Sequence, residues 1–205
     1  MNEKFIKALY LTYENAKGLF EEAEILEEKH KIGRAYTLYH LCFEECGRFH
    51  LINKFLGEYF SGEIKAKELN YGNLKKRGFE NHNLKISENF KGIYFITYLS
   101  LYAKSKIDLI DDFENEYKIE IEKITNQLSV LLEQESELNR LKNVGLYVTF
   151  SNNNFNLPDD AIMTSAFLRI KNLAIMSLNV VKKIIDYAEN KGGFDKLKEL
   201  HKEGK

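Results

Sequence analysis

Residues 38–56, LYHLCFEECGRFHLINKFL, decide the fold class of this chain. Apolar side chains recur there every three or four positions, which is the spacing of one face of an α-helix. The stripe consists of Leu38, Leu41, Cys42, Glu45, Phe49, Ile52 and Leu56. We place this helix from about residue 34 to about residue 59. Because its apolar stripe must be buried against other helices, the segment predicts a helical bundle.

The same periodicity continues on both sides of this segment. It predicts further helices over about residues 3–30, 88–113, 114–141 and 158–191. The 205 residues include a single proline, Pro158, so little interrupts long helices. Residues 61–87 predict a loop with short helices, and residues 142–158 a loop with a short extended piece at 145–150. The sequence therefore predicts an all-α antiparallel bundle of four to six helices, with less than about a tenth of its residues in strands.

Composition limits the class of protein. The chain fits one domain over residues 1–205, with a charged C-terminal tail at 191–205. A net charge of −1 argues against a protein that coats nucleic acid generally, although it allows a local basic site. No apolar core follows the first four residues, and no apolar run has the length of a membrane span. We therefore expect a cytoplasmic protein without a membrane partner.

Two adjacent acids, Glu44 and Glu45, fall in the middle of the predicted second helix. Glu45 lies on the apolar stripe, so we expect it to be buried and bonded to a basic group or a backbone amide, with Arg48, Lys85 and Arg140 as candidates. The pair is either an internal clamp or a site acid. A di-metal carboxylate bundle would need Glu-x-x-His on two helices, which the sequence does not provide, so no metal or cofactor is expected. Gly47 predicts a close approach by another part of the chain.

A second constellation lies in the loop 61–87, where six basic residues outnumber the acids. Arg77 and His82 are five positions apart in it. A histidine titrates near neutral pH and an arginine holds a phosphate through two parallel hydrogen bonds, so the pair suits RNA cleavage. The alternative is a solvated loop histidine. Arg34 and His40 form a weaker candidate pair, since His40 is expected at the edge of the core.

Three segments, taken in order, resemble the abortive-infection protein V (AbiV) family of the HEPN superfamily, over about residues 5–190. The first is Gly33-Arg-Ala-Tyr36 followed by Phe43-Glu-Glu-Cys-Gly-Arg48. The second is Phe79-Glu-Asn-His-Asn-Leu-Lys85, and the third is Arg140 with Gly145-Leu-Tyr-Val148 and Pro158. Arg48 stands where the family usually has lysine, and Thr149 where it usually has an acid.

The resemblance implies a HEPN-like bundle that defends bacteria against phage by shutting down translation. It also implies a homodimer that acts as a metal-independent endoribonuclease on RNA, with a phage protein as a candidate activator. Arg77 and His82 match the superfamily's Arg-x(4–6)-His motif, and we expect Glu45 or Glu44 to orient one of them. The candidate substrate-binding residues are Lys85, Lys76, Arg48, Arg140 and Tyr147. The alternative is a non-catalytic interaction protein that binds a phage protein or a translation component.

Overall fold

The computed structural model describes residues 2–108, 110–151, 153–194 and 196 of the chain. These residues form five long helical stretches, α1 (Asn2–Glu28), α2 (Ile32–Ser61), α4 (His82–Ile107), α6 with α7 (Lys118–Glu133, Glu135–Val144) and α9 (Thr164–Asn190). Short helices α3 (Tyr71–Lys76), α5 (Phe113–Glu116) and α8 (Pro158–Ala161) lie between them. A hairpin of β1 (Thr149–Ser151) and β2 (Asn154–Asn156) pairs Phe150 with Phe155. The predicted all-α class is confirmed.

Helix α2 is the central element of the bundle. It packs against α1, α4, α7, α8 and α9, and 18 of its 30 residues are buried. The sequence predicted one buried stripe, whereas this helix is buried on nearly all sides. The reason is that aromatic residues off the stripe, Tyr36, Tyr39 and Phe43, are also enclosed by neighbouring helices. Helices α1, α4, α7, α8 and α9 are therefore each positioned by the surface of α2 that they cover, whereas α6 packs against α4.

Two helix boundaries differ from the predicted ones. Helix α4 begins at His82 rather than near Glu88, because the Asn81 side chain caps it by accepting a hydrogen bond from the Leu84 amide at 3.1 Å. The last predicted helix is divided, since α8 ends at Ala161 and α9 begins at Thr164. Asp159 of α8 instead accepts a hydrogen bond from the Gly33 amide at 2.9 Å, which caps the start of α2. The predicted tail at 191–205 lies mostly outside the described residues.

Gly47 lies where α2 and α4 cross. A Cβ atom added there would lie 1.8 Å from the backbone oxygen of Lys85, so α4 approaches closely only because residue 47 has no side chain. This confirms the close approach that the sequence predicted. The close approach also fixes how far Lys85 and His82 on α4 lie from α2.

Gly47→Ala is therefore expected to destabilise the protein by about 1–3 kcal/mol, because a backbone atom cannot move aside without shifting α4. Gly57 is the matched control, since it lies in the same helix and nothing is within 4 Å of its added Cβ. Gly57→Ala is expected to raise the free energy of unfolding by about 0.5–1 kcal/mol, because alanine favours a helix more than glycine does. Urea unfolding followed by circular dichroism measures both. Equal stability of the two variants would contradict the close crossing.

Candidate functional site

The centre of the candidate site is the carboxylate of Glu44, which is 1% exposed. Its Oε2 lies 2.8 Å from Nζ of Lys85 on α4, and its Oε1 lies 2.9 Å from Nζ of Lys142 on α7. One buried negative charge thus joins three helices through two ammonium groups. A buried carboxylate needs this compensation, because an unpaired charge in the interior costs several kcal/mol.

Two histidines complete this group, which we call the Glu44 cluster: Glu44, Lys85, Lys142, His40 and His82. Nδ1 of His82 lies 2.6 Å from Oε2 of Glu44 and 3.3 Å from Nζ of Lys142. Nδ1 of His40 lies 3.3 Å from Oε1 of Glu44, without the direction of a good hydrogen bond. His40 is fully buried, whereas the side chain of His82 is 51% exposed. His82 is thus the member of the cluster that solvent reaches most easily.

The cluster fixes the charge of its members. Burial alone would raise the pKa of Glu44, but His40, Lys142 and Lys85 together hold that pKa well below its ordinary value. Burial lowers the pKa of His40, and the charge of Lys142 lowers it further against the opposing effect of Glu44. Glu44 is therefore ionised and His40 neutral at physiological pH.

Local sequence explains how these side chains meet. His82 and Lys85 are three residues apart in the first turn of α4, so both face α2. Lys142 is held by its backbone, since the hydroxyl of Thr37 on α2 lies 3.0 Å from the Lys142 carbonyl oxygen. An added Cβ at Gly145 would lie 2.6 Å from that same hydroxyl. Gly145, three residues after Lys142, therefore lets the end of α7 lie against α2.

Arg77 does not join His82, contrary to what their spacing suggested. Its guanidinium pairs with Glu58 and lies over the ring of Phe55, 4.6 Å from the ring centroid. Glu44 and Glu58 are fourteen residues apart on α2, which is about 21 Å along the helix axis. Within the described residues, no hydrogen bond or ion pair connects Arg77 with His82. The reason is the turn between them, where Gly78 has φ +99°.

Glu45 is buried and pairs with Arg48, as expected from its position on the stripe. Arg48 also lies over the ring of Phe79, 4.9 Å from its centroid, and 27% of its side chain remains exposed. This ion pair lies within one helix and joins a buried carboxylate to a partly exposed guanidinium. The acid that connects helices is Glu44, the neighbour that the stripe did not select.

The remaining predicted substrate-binding residues lie in different places. Lys85 is 3% exposed and belongs to the interior. Lys76 and Tyr147 are exposed, and Arg140 holds both oxygens of Glu137 at 2.7 Å. No hydrogen bond or ion pair among the described residues brings Lys76, Arg140 or Tyr147 to the Glu44 cluster. Arg34 is likewise exposed at the start of α2.

Sequence reasoning missed Lys142 and ranked His40 too low. His40 precedes Glu44 by one helical turn, which was a usable signal for a contact. Lys142 lies between Arg140 and Gly145, inside a segment that was already singled out. Its distance of 98 residues from Glu44 left nothing in the sequence to connect the two.

A separate buried histidine, His50, is expected to make the stability of the protein depend on pH. Burial lowers the pKa of His50 to about 4, against a small opposing effect of Glu88. Between pH 6.5 and 4, His50 binds a proton in the unfolded chain but stays neutral in the native state. Stability is therefore lost as pH falls through this window, by about 3 kcal/mol for this residue.

His50→Phe is expected to remove that share of the pH dependence, because it keeps a ring against Gly92 and removes the titrating nitrogen. Urea unfolding at several pH values between 7 and 4 measures the slope. The exposed His30, replaced by asparagine, serves as control and is expected to keep the wild-type slope. An unchanged slope in His50→Phe would show that the buried imidazole is not responsible.

Two further properties concern the described part of the chain only. Within it, no group of three or more His, Cys, Asp or Glu side chains is arranged to hold a metal ion. None of the helices in the same residues has both the length and the apolar character needed to cross a membrane.

Comparison with known proteins agrees with the segments that form this site. The AbiV family model matches residues 4–178, a range that contains all five members of the Glu44 cluster and all of α2 and α4. No curated protein and no solved structure matches the chain. Since the match covers well over half of the sequence, the chain belongs to the AbiV family of HEPN-type abortive-infection proteins.

Proposed function

We propose that this protein is one HEPN-like domain that defends bacteria against phage by cleaving RNA and so lowering translation. The observation that supports this best is His82, a half-exposed imidazole whose Nδ1 lies 2.6 Å from a fully buried, ionised carboxylate. A carboxylate in this position orients a histidine and selects the tautomer with the proton on Nδ1. The other ring nitrogen is then free to accept a proton from a substrate.

The chemistry needs no group beyond the RNA and the protein. Nε2 of His82 takes the proton of a ribose 2′-hydroxyl, and the 2′-oxygen attacks the adjacent phosphorus. The bond from phosphorus to the 5′-oxygen breaks, and the proton passes to that oxygen. The products are a 2′,3′-cyclic phosphate and a 5′-hydroxyl. Glu44 stays ionised and stabilises the imidazolium that forms between the two proton transfers.

The cations beside His82 supply positive charge for the phosphate. Lys142 is the nearest, with Nζ 3.3 Å from Nδ1 of His82, and its side chain is 10% exposed. Arg48 lies one turn after Glu44 on α2. Arg77 contacts α2 about 21 Å further along, so its proposed role is to hold RNA backbone several nucleotides away rather than the scissile phosphate.

A second candidate function also has a specific observation in its favour. Glu44, Lys85 and Lys142 form a buried ionic brace between α2, α4 and α7. Such a brace is what a non-catalytic interaction protein needs in order to hold a binding surface in shape. In that case His82 completes the brace, and the partner is a phage protein or a component of translation.

Incubation of the pure protein with total RNA in EDTA, with and without extract of infected cells, tests the first proposal. We expect new RNA fragments that end in 2′,3′-cyclic phosphate. If they form only with the extract, a phage component activates the protein. Intact RNA in both reactions, with a protein that still protects cells, would favour the interaction protein.

We further propose a symmetric homodimer through α4. Phe95, Leu99 and Tyr102 lie on one face of this helix and are all exposed, at 57%, 40% and 42%. Aromatic residues at the centre of an exposed apolar face are typical anchors of a protein interface. A two-fold interface is the commonest way to cover such a face with a second copy.

Sedimentation at micromolar concentration is accordingly expected to give about twice the 24.0 kDa of one chain. Phe95→Glu is expected to weaken the dimer by about 2 kcal/mol, roughly thirtyfold in dissociation constant. Leu11→Glu makes the same change at an exposed apolar position of α1 and serves as control. A wild-type protein that sediments only as one chain would refute the dimer.

A further inference from the structure

A cleft separate from the Glu44 cluster lies between α7 and the start of α9. It has a volume of about 300 Å³, the lower end of the range for small-molecule sites. The residues that matter for its chemistry are Tyr36, Glu137, Met163, Ser165, Ala166 and Arg169. No member of the Glu44 cluster lines it. The cleft is therefore a site separate from the proposed RNA-cleavage site at His82.

Tyr36 brings an unused hydrogen-bond donor to the cleft. Its side chain is fully buried, and its hydroxyl has no hydrogen-bond partner among the described residues. A buried hydroxyl without a partner costs about 1–3 kcal/mol, so native structures rarely keep one without use. The pKa of Tyr36 is raised mainly by burial, then by the charge of Glu137, and is lowered by Arg169 and Arg140. The phenol end therefore lies within range of the charges that line the cleft.

The N-terminus of α9 faces the same cleft. Met163 occupies its N-cap position and has no side chain able to cap, and no other described side chain takes that role. The amides of Thr164, Ser165 and Ala166 therefore have no partner within the helix. In a helix of 27 residues, such free amides carry a partial positive charge and attract anions.

Arg169 adds a full positive charge one turn further along α9. Its guanidinium bonds to the neutral amide of Gln134, and no carboxylate pairs with it in the described part of the chain. Glu137, the acid that also lines the cleft, is held at both oxygens by Arg140. The cleft thus keeps one cation without a compensating anion.

An adjoining groove of about 680 Å³ shares Glu137, Met163 and Ala166 with the cleft. The exposed ring of Phe150 on β1 forms part of its wall. The cleft provides hydrogen-bond donors at one end, and the groove provides a larger space with an aromatic surface at the other. This shape suits a molecule with an anionic head and an organic remainder.

We propose that this cleft binds the phosphate group of a small molecule, with the phosphate oxygens on the Tyr36 hydroxyl, the free amides of α9 and the Arg169 guanidinium. A tetrahedral oxyanion can accept all of these donors at once. The organic part of a phosphomonoester lies in the adjoining groove against Phe150. This phosphate site is independent of the proposed RNA cleavage, so a failure of one proposal leaves the other unaffected.

Titration of the ¹⁵N-labelled full chain with inorganic phosphate, and separately with phenyl phosphate, tests the proposal. We expect saturable amide shifts at Thr164, Ser165 and Ala166 with both, and tighter binding of phenyl phosphate because it also fills the groove. If inorganic phosphate binds as tightly, the ligand is free phosphate and the groove stays unused. Both results support a phosphate site and differ only in the source of the phosphate.

Two variants and two controls make the test specific. Arg169→Gln is expected to weaken binding about tenfold, since a charge-assisted hydrogen bond is lost. Tyr36→Phe is expected to weaken it about threefold to tenfold while leaving the unliganded protein as stable as before or more so, because it removes an unpaired hydroxyl. Tyr187→Phe makes the same change as Tyr36→Phe, and Lys182→Gln removes a cation as Arg169→Gln does. Both controls lie at exposed positions of α9 and are expected to bind phosphate normally.

The proposal is overturned if phosphate produces no saturable shift at the start of α9. It is equally overturned if Arg169→Gln and Tyr36→Phe bind phosphate as the controls do. A clear loss of stability in unliganded Tyr36→Phe would show that the hydroxyl has a structural partner and is not held for a ligand.

Discussion

Cells that carry His82→Ala in place of the wild-type protein are expected to lose phage protection, and the pure variant is expected to cleave RNA about 10²- to 10⁴-fold more slowly. The physical reason is that the imidazole is the proton carrier in the proposed reaction. Nζ of Lys142 lies 3.3 Å from Nδ1 of His82, and its ammonium is already bonded to Glu44. It can hold a phosphate, but it is poorly suited to accept a proton near neutral pH.

The variant is expected to fold, which makes this experiment decisive. His82 is half-exposed at the first position of α4, and the cap of that helix comes from Asn81. Glu44 keeps both lysines when the imidazole is removed. Asn83→Ala, in the same helical turn, is the matched control and should retain cleavage and protection. A folded His82→Ala that still protects cells would exclude the catalytic proposal and favour the interaction protein.

Arg77→Lys separates the two roles that an Arg–His motif can have. Because Arg77 pairs with Glu58 far along α2 from Glu44, its loss is expected to weaken RNA binding more than the rate of cleavage. A loss of rate equal to that of His82→Ala would mean that Arg77 reaches the scissile phosphate in the complex, despite its position in the free chain.

Sequence periodicity predicted the helices well because a helix is specified by neighbours three and four positions away. It failed at the start of α4, where the capping residue Asn81 lies in a stretch with little apolar pattern and was taken as part of a loop. It also selected Glu45, which lies on the apolar stripe, although the acid that joins three helices is Glu44. On a helix that is buried on nearly all sides, both of these adjacent acids are buried. Only the three-dimensional structure shows which of the two contacts another helix.

The Arg77–His82 pair illustrates a different limit. The spacing of a motif fixes how far apart two residues are along the chain but says nothing about the turn between them. At Gly78 the backbone takes a φ of +99°, and an added Cβ there would lie 2.4 Å from the Leu84 side chain. Arg77 is thereby directed toward the C-terminal half of α2, and His82 toward its middle.

The largest effect on stability is expected from Glu44→Ala. Removal of the carboxylate leaves the ammonium groups of Lys85 and Lys142 buried together without a counter-charge, which costs about 3–5 kcal/mol. Glu45→Ala is the matched control on the neighbouring residue. Its partner Arg48 is partly exposed and turns to solvent, so the expected loss is only about 0–1 kcal/mol. Chemical unfolding of the two variants, measured side by side at neutral pH, checks the difference.

The pH dependence of the wild-type protein gives an independent measure of the same interaction. Because the native cluster holds the pKa of Glu44 below its ordinary value, this contribution is fully present above about pH 4.3 and is lost as pH falls below it. Glu44→Gln keeps the shape of the side chain but cannot ionise, so the loss of stability that comes from protonating Glu44 is expected to disappear. The loss of stability below about pH 6.5, to which the buried imidazoles of His50 and His40 contribute, is expected to remain. Equal stability of Glu44→Ala and Glu45→Ala at neutral pH would contradict the buried brace. If Glu44→Gln folds, its failure to cleave RNA would then show that the ionised carboxylate also orients His82.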